Sequence, residues 1–171
     1  MNRDPKAGTR PTTAPPVPSG VPVSAAMLRD PKVLGPATTV AQVRAFFEDD
    51  HVHAALLVDG GRLLSVVERP DLAGAPPGSP AATVGRLPGR TTRGDADLAL
   101  TWEAMTALAR RRLAVVDSRG DFLGLLCLKR SGRGFCTEAD VWARREDRSA
   151  VSSGTAAGPG QASSTSRCSS R

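Results

Sequence analysis

Arg112-Leu113-Ala114-Val115-Val116-Asp117-Ser118-Arg119-Gly120-Asp121-Phe122-Leu123-Gly124-Leu125-Leu126 decides the fold, because an earlier stretch repeats it. Ala54-Ala55-Leu56-Leu57-Val58-Asp59 stands 58 residues before Arg112–Asp117. Each is a short apolar run ending in aspartate, the pattern of a buried strand. A turn bearing glycine follows each, Gly60-Gly61 in one and Ser118-Arg119-Gly120 in the other. Leu63–Val67 and Phe122–Leu126 come next, now offset by 59. The one-residue slip falls in the turn, where a hairpin absorbs it. Each half therefore contains a hairpin of two buried strands.

Working outward, a helix precedes each hairpin. Thr39-Val40-Ala41-Gln42 fits a capping box, and Val40, Val43 and Phe46/Phe47 follow at helical spacing. In the second half Asp95 or Asp97 caps a helix whose apolar face is Leu98, Trp102, Met105 and Leu108/Ala109. Short extended pieces, Lys32-Val33-Leu34 and Arg90-Thr91-Thr92, come before these helices. A last helix starts at Thr137–Asp140, and its first-half counterpart is short, near Pro70-Asp71-Leu72. The order strand, helix, strand, strand, helix occurs twice, an α/β (α+β) class. One such unit of about 60 residues buries too little surface to be secure alone. Two packed about a pseudo-twofold axis would share a core.

The expected boundaries are a Pro-rich disordered tail over 1–22, a first repeat over 23–75 and a linker over 76–80. A second repeat follows over 81–148, then a Ser/Gly-rich disordered tail over 149–171. Six prolines crowd the first segment and eight serines the last. The chain has 171 residues and a net charge of +6. Each tail carries +2 of that, which leaves +2 between them, interleaved with acids. The chain has no Tyr, four Phe and two Trp, too few for base-stacking platforms. A basic nucleic-acid-associated protein is thus a disfavoured class. The longest apolar run, Ala54 to Val58, is far too short to span a membrane, and the N-terminus has no apolar signal core. Three widely spaced cysteines indicate no disulfide framework, and a reduced cytoplasm is expected.

The two halves resemble a tandem pair of cystathionine-β-synthase-type (CBS) domains, a Bateman module. The residues carrying the resemblance are Val23–Met27, the run 58–72 and the run 113–126. It covers about 126 residues, from 23 to 148. The resemblance implies a non-catalytic regulatory module with no required cofactor. Such pairs bind adenosine-containing ligands (AMP, ATP, S-adenosylmethionine) between the repeats, often dimerise, and act through a regulated protein. The family motif is glycine, two apolar residues, Thr or Ser, two variable residues, then Asp. Ser65-Val66-Val67-Glu68-Arg69-Pro70-Asp71 keeps the Asp, the expected ribose contact, and has Glu68 at the hydroxyl position. In the second repeat Gly124 is kept, Cys127 replaces the hydroxyl residue and Arg130 replaces the Asp. His53 and Arg112 precede the second strand of each half, where a phosphate would approach. Val33 completes the expected ligand set of Asp71, Glu68, Val33, His53, Arg112 and Arg130.

A carboxylate at position 68 would repel polyphosphates, which favours a nucleoside or cationic S-adenosylmethionine. The altered motifs favour the alternative, a ligand-free CBS-pair scaffold for protein–protein interaction. Elsewhere, His51-x-His53 falls short of the three or four ligands a metal needs. Cys127 reads as a small apolar residue of a buried strand. No nucleophile–base pair is visible, so an enzyme is not expected.

Overall fold

The structure, a computed structural model, describes residues 18–143. Of the two expected tails, residues 1–17 and all of 149–171 lie outside the described residues. The chain falls into two compact units divided between Glu138 and Ala139, and residues 139–143 of the second are helical. The first repeat and residues 81–138 of the second lie in the first unit.

The first repeat contains α1 (Val40–Phe46), β1 (Ala55–Asp59), β2 (Arg62–Val67) and a 3-10 turn over Arg69–Leu72. The second contains β3 (Thr91–Arg93), α2 (Leu98–Ala107), β4 (Arg112–Val116) and β5 (Phe122–Cys127). Both hairpins are antiparallel, and β3 runs parallel to β4. The counterpart of β3 in the first repeat is a single parallel bridge from Leu34 to Leu57.

The helix starts follow the expected chemistry. Thr39 Oγ1 accepts from the Gln42 amide at 3.3 Å, while the Gln42 side chain accepts from the Thr39 amide at 2.8 Å. Asp97 caps α2 by accepting from Leu100 N at 3.0 Å, and Asp95 instead pairs with Arg93. Such a cap contributes about 1 kcal/mol.

Strand alternation sorts the apolar residues into three clusters. Val40, Val43, Phe47, Leu57 and Val67 fill the first repeat, and Leu98, Trp102, Met105, Val115 and Leu126 fill the second. The opposite faces of the hairpins, with Leu56, Leu63, Val66 and Ala114, meet in a third cluster between the repeats. The hairpin turns join there, with Phe122 N donating to Gly61 O at 2.8 Å.

The repeats also exchange their leading segments. Val23 packs in the second core, and Leu28 pairs with Leu125 of β5 through hydrogen bonds of 2.9 Å both ways. Ala81 packs in the first core, and Arg86 pairs with Val66 of β2. Gly20 and Val21, read as tail, bond to Asp97 and Leu98 at the start of α2. The linker carbonyls of Pro77 and Ser79 accept from the first amides of α1 at 2.9 Å. The packing thus crosses the boundaries expected from the sequence.

Candidate functional site

α2 ends where Ala109 enters the left-handed region at φ 51°, and Arg110 N bonds back to Met105 O at 2.7 Å. Glycine usually takes this position, because a side chain there crowds the following carbonyl. The reversal sends Arg110, Arg111 and Arg112 along one wall of a cleft of about 250 Å³. His53, Ala54, Glu68, Leu108 and Ala109 complete its lining. The cleft therefore joins both repeats.

Glu68 is the one carboxylate in that lining, and it is already engaged. Arg90 Nη2 lies 3.0 Å from its Oε2 and Arg110 Nη1 lies 3.2 Å from its Oε1. This pairing offsets the Glu68 charge with Arg90 and Arg110, while Arg111 and Arg112 also line the cleft. Arg111 Nε is buried and has no hydrogen-bond partner among the described residues. Arg112 Nη2 reaches His51 O at 3.4 Å. His53 sits exposed at the mouth. Desolvation of its ring, then the charges of Arg112, Arg111, Arg69 and Arg130, hold its pKa below the ordinary imidazole value.

Asp71 is held differently from the expected ribose contact. Arg90, itself 2% exposed, grips both its oxygens, with Nη2 at 2.9 Å from Oδ1 and Nη1 on Oδ2. Arg90 Nη1 also donates to Val66 O at 2.7 Å, and Asp71 Oδ2 accepts from Glu68 N at 2.7 Å. Burial pushes the Asp71 pKa up, but the Arg90 and Glu68 hydrogen bonds outweigh it and leave the carboxyl below its usual range. Bidentate geometry makes this one of the strong pairs.

Of the six expected residues, the cleft brings together His53, Glu68 and Arg112. Asp71 stands behind Glu68 on the shared Arg90, and Val33 and Arg130 are exposed outside the lining. Arg90, Arg110 and Arg111 were not among the expected residues. Arg110 and Arg111 had a readable signal, their place beside Arg112 in an arginine run. Arg90 had none, because its partners come from the other repeat. Among the described residues no group of three or more His, Cys, Asp or Glu is placed to hold a metal ion.

Residues 23–78 match the family model of the CBS domain. The CBS pair domain of a protein from Shewanella oneidensis MR-1 is similar in structure, with TM-score 0.53 and 24% identity over 71% of this chain and 68% of that one. The chain folds as a CBS domain pair. A CBS domain protein from Pyrobaculum aerophilum, solved in complex with AMP, matches with TM-score 0.53 and 20% identity over 74% of this chain and 99% of that one. The cytosolic domain of the Mg2+ channel MgtE, solved in complex with ATP, matches with TM-score 0.52 and 22% identity. That match covers 72% of this chain and 48% of that one, so the pair spans about half of the MgtE domain's length. No curated protein matches the chain.

Proposed function

We propose that this CBS pair is a non-catalytic regulatory module that senses an adenosine ligand carrying phosphate and signals through a partner protein. The observation that carries the reading is the convergence of Arg110, Arg111 and Arg112 on a cleft whose one carboxylate is already paired. Guanidinium groups match phosphate in charge and fork geometry. The AMP and ATP complexes of the similar structures support the ligand class. In this reading AMP or ATP outcompetes S-adenosylmethionine, whose positive charge the arginines oppose. The expected homodimer belongs to the same proposal; a dimer mass in light scattering would support it and a monomer mass would overturn it.

Calorimetric titration of the full chain with ATP and S-adenosylmethionine tests the ligand. Saturable ATP binding, weakened at least tenfold by Arg111→Gln or Arg112→Gln, supports the proposal, since a charge-assisted hydrogen bond is worth about 1.5–3 kcal/mol. No saturable binding by the folded chain overturns it.

One observation favours a second reading, the ligand-free scaffold. Both oxygens of Asp71 are taken by Arg90, so a ribose would have to displace a buried ion pair.

A further inference from the structure

Cys127, the last residue of β5, and Cys136 lie on neighbouring extended segments. Cys136 N donates to Cys127 O at 2.7 Å, and Leu128 bridges to Phe135. This pairing sets the two sulfurs 3.0 Å apart, with Cys136 Sγ donating to Cys127 Sγ. Both thiols are free, at 6% and 5% exposure. A disulfide bond is about 2.05 Å long, so covalent closure asks for a shift of roughly 1 Å.

We propose that Cys127 and Cys136 form a redox-modification site, a paired dithiol that a small-molecule disulfide such as oxidised glutathione converts to an intramolecular disulfide. One cysteine thiolate attacks a sulfur of the reagent, forming a mixed disulfide and releasing the first small thiol. The second thiolate attacks the protein sulfur of that mixed disulfide and releases the second small thiol. The protons of Cys127 and Cys136 pass to the two leaving thiolates, and two electrons move from the protein to the reagent. Burial, then the hydrogen bond from Cys136, pushes the Cys127 thiol up to about 11. At neutral pH Cys127 therefore rests as a thiol, and the pair reacts when the intervening loop opens. That loop has exposed Arg130, Ser131 and Arg133 and left-handed glycines at 132 and 134.

The site borders the cleft. Cys127 is the ladder partner of Arg112, which lines it. Oxidation would tie the end of β5 beside Arg112 to the 128–136 segment.

The test uses the full chain with Cys168→Ser, which leaves Cys127 and Cys136 as its cysteines. It is equilibrated over a series of oxidised to reduced glutathione ratios under native conditions, then read by intact mass and tryptic mapping. The expected result is a complete loss of the mass of two hydrogens, with peptide 120–129 joined to peptide 134–144. Cleavage after Arg133 should slow several-fold in the oxidised chain. Persistent glutathione adducts would overturn the proposal. So would an unchanged mass at the most oxidising ratio, or a link that forms only in urea. Cys136→Ser should abolish the link; if that variant does not fold, the mass and map of the parent chain decide alone.

Discussion

Gly85 sits against Ser65, so that a Cβ on Gly85 would lie 2.3 Å from Ser65 Oγ and 2.7 Å from Val66 O. The pseudo-twofold partner of this contact has the sizes reversed. Gly124 occupies the place of Ser65, and Met27 occupies the place of Gly85. A Cβ on Gly124 would lie 2.3 Å from Leu28 O and 3.1 Å from Met27 Sδ. One small residue per contact lets each leading segment lie on the other repeat's hairpin. The glycine missing from the first ligand motif has its counterpart across the contact.

Gly85→Ala should therefore destabilise the chain by about 1–3 kcal/mol, the usual range for overpacking. Gly124→Ala should cost at least as much, because its nearest neighbour is a backbone carbonyl. Ser65→Gly should recover part of the Gly85→Ala loss, since Val66 O and Val67 Cγ2 at 2.7 Å still obstruct. Urea unfolding of the two single variants and the double variant measures all three.

Ser65→Ala should be neutral or stabilising. The Ser65 hydroxyl is buried with no hydrogen-bond partner among the described residues, and desolvating such a group costs about 1–3 kcal/mol. The same unfolding measurement checks it.

Arg90 holds two carboxylates at once, so Arg90→Met should cost about 2 kcal/mol by leaving the half-buried Asp71 without its guanidinium partner. The pH dependence follows from the depressed Asp71 pKa. Its contribution is fully present above the unfolded carboxylate value of about 3.9 and is lost as pH falls through the lower folded value. Thermal melts between neutral pH and pH about 2 should show this acid loss in the parent chain and a smaller one in Asp71→Asn.

Ala109→Gly should stabilise the fold by about 0.5–1 kcal/mol, because glycine takes a left-handed backbone without crowding. It should also loosen the aim of the arginines that follow. Thermal melts read the first effect and ligand titration the second.

The hairpins, both helix caps and the twofold repeat were legible because each rests on local signals: alternation, a capping box, glycine in a turn. Arg90 was illegible for a physical reason. Its partners Asp71, Glu68 and Val66 O belong to the first repeat and come together only when the second folds onto it. The Glu68 ion pairs were illegible for the same reason, since Arg90 and Arg110 come from the second repeat. The exchanged segments were missed because nothing local marks Val23 or Ala81 as belonging to the opposite core. Cys127 and Cys136 lack any close spacing, and only the pairing of Leu128 with Phe135 brings them together.

His53 offers a spectroscopic reading of the cleft. Its pKa is held below the usual value by desolvation and nearby arginines, so the free chain should titrate below about 6.5 by NMR. Because the folded value is depressed, the unfolded chain takes up this proton first, and stability falls as pH drops through the unfolded value. A bound phosphate should move the His53 titration upward.

The most direct test compares AMP with adenosine on the same chain by equilibrium titration, because the two differ only by the phosphate. The cationic cleft predicts that AMP binds at least tenfold more tightly and that Arg111→Gln narrows the gap. Equal or tighter binding of adenosine, or a gap unchanged by Arg111→Gln, would contradict the assignment of the arginine wall to phosphate.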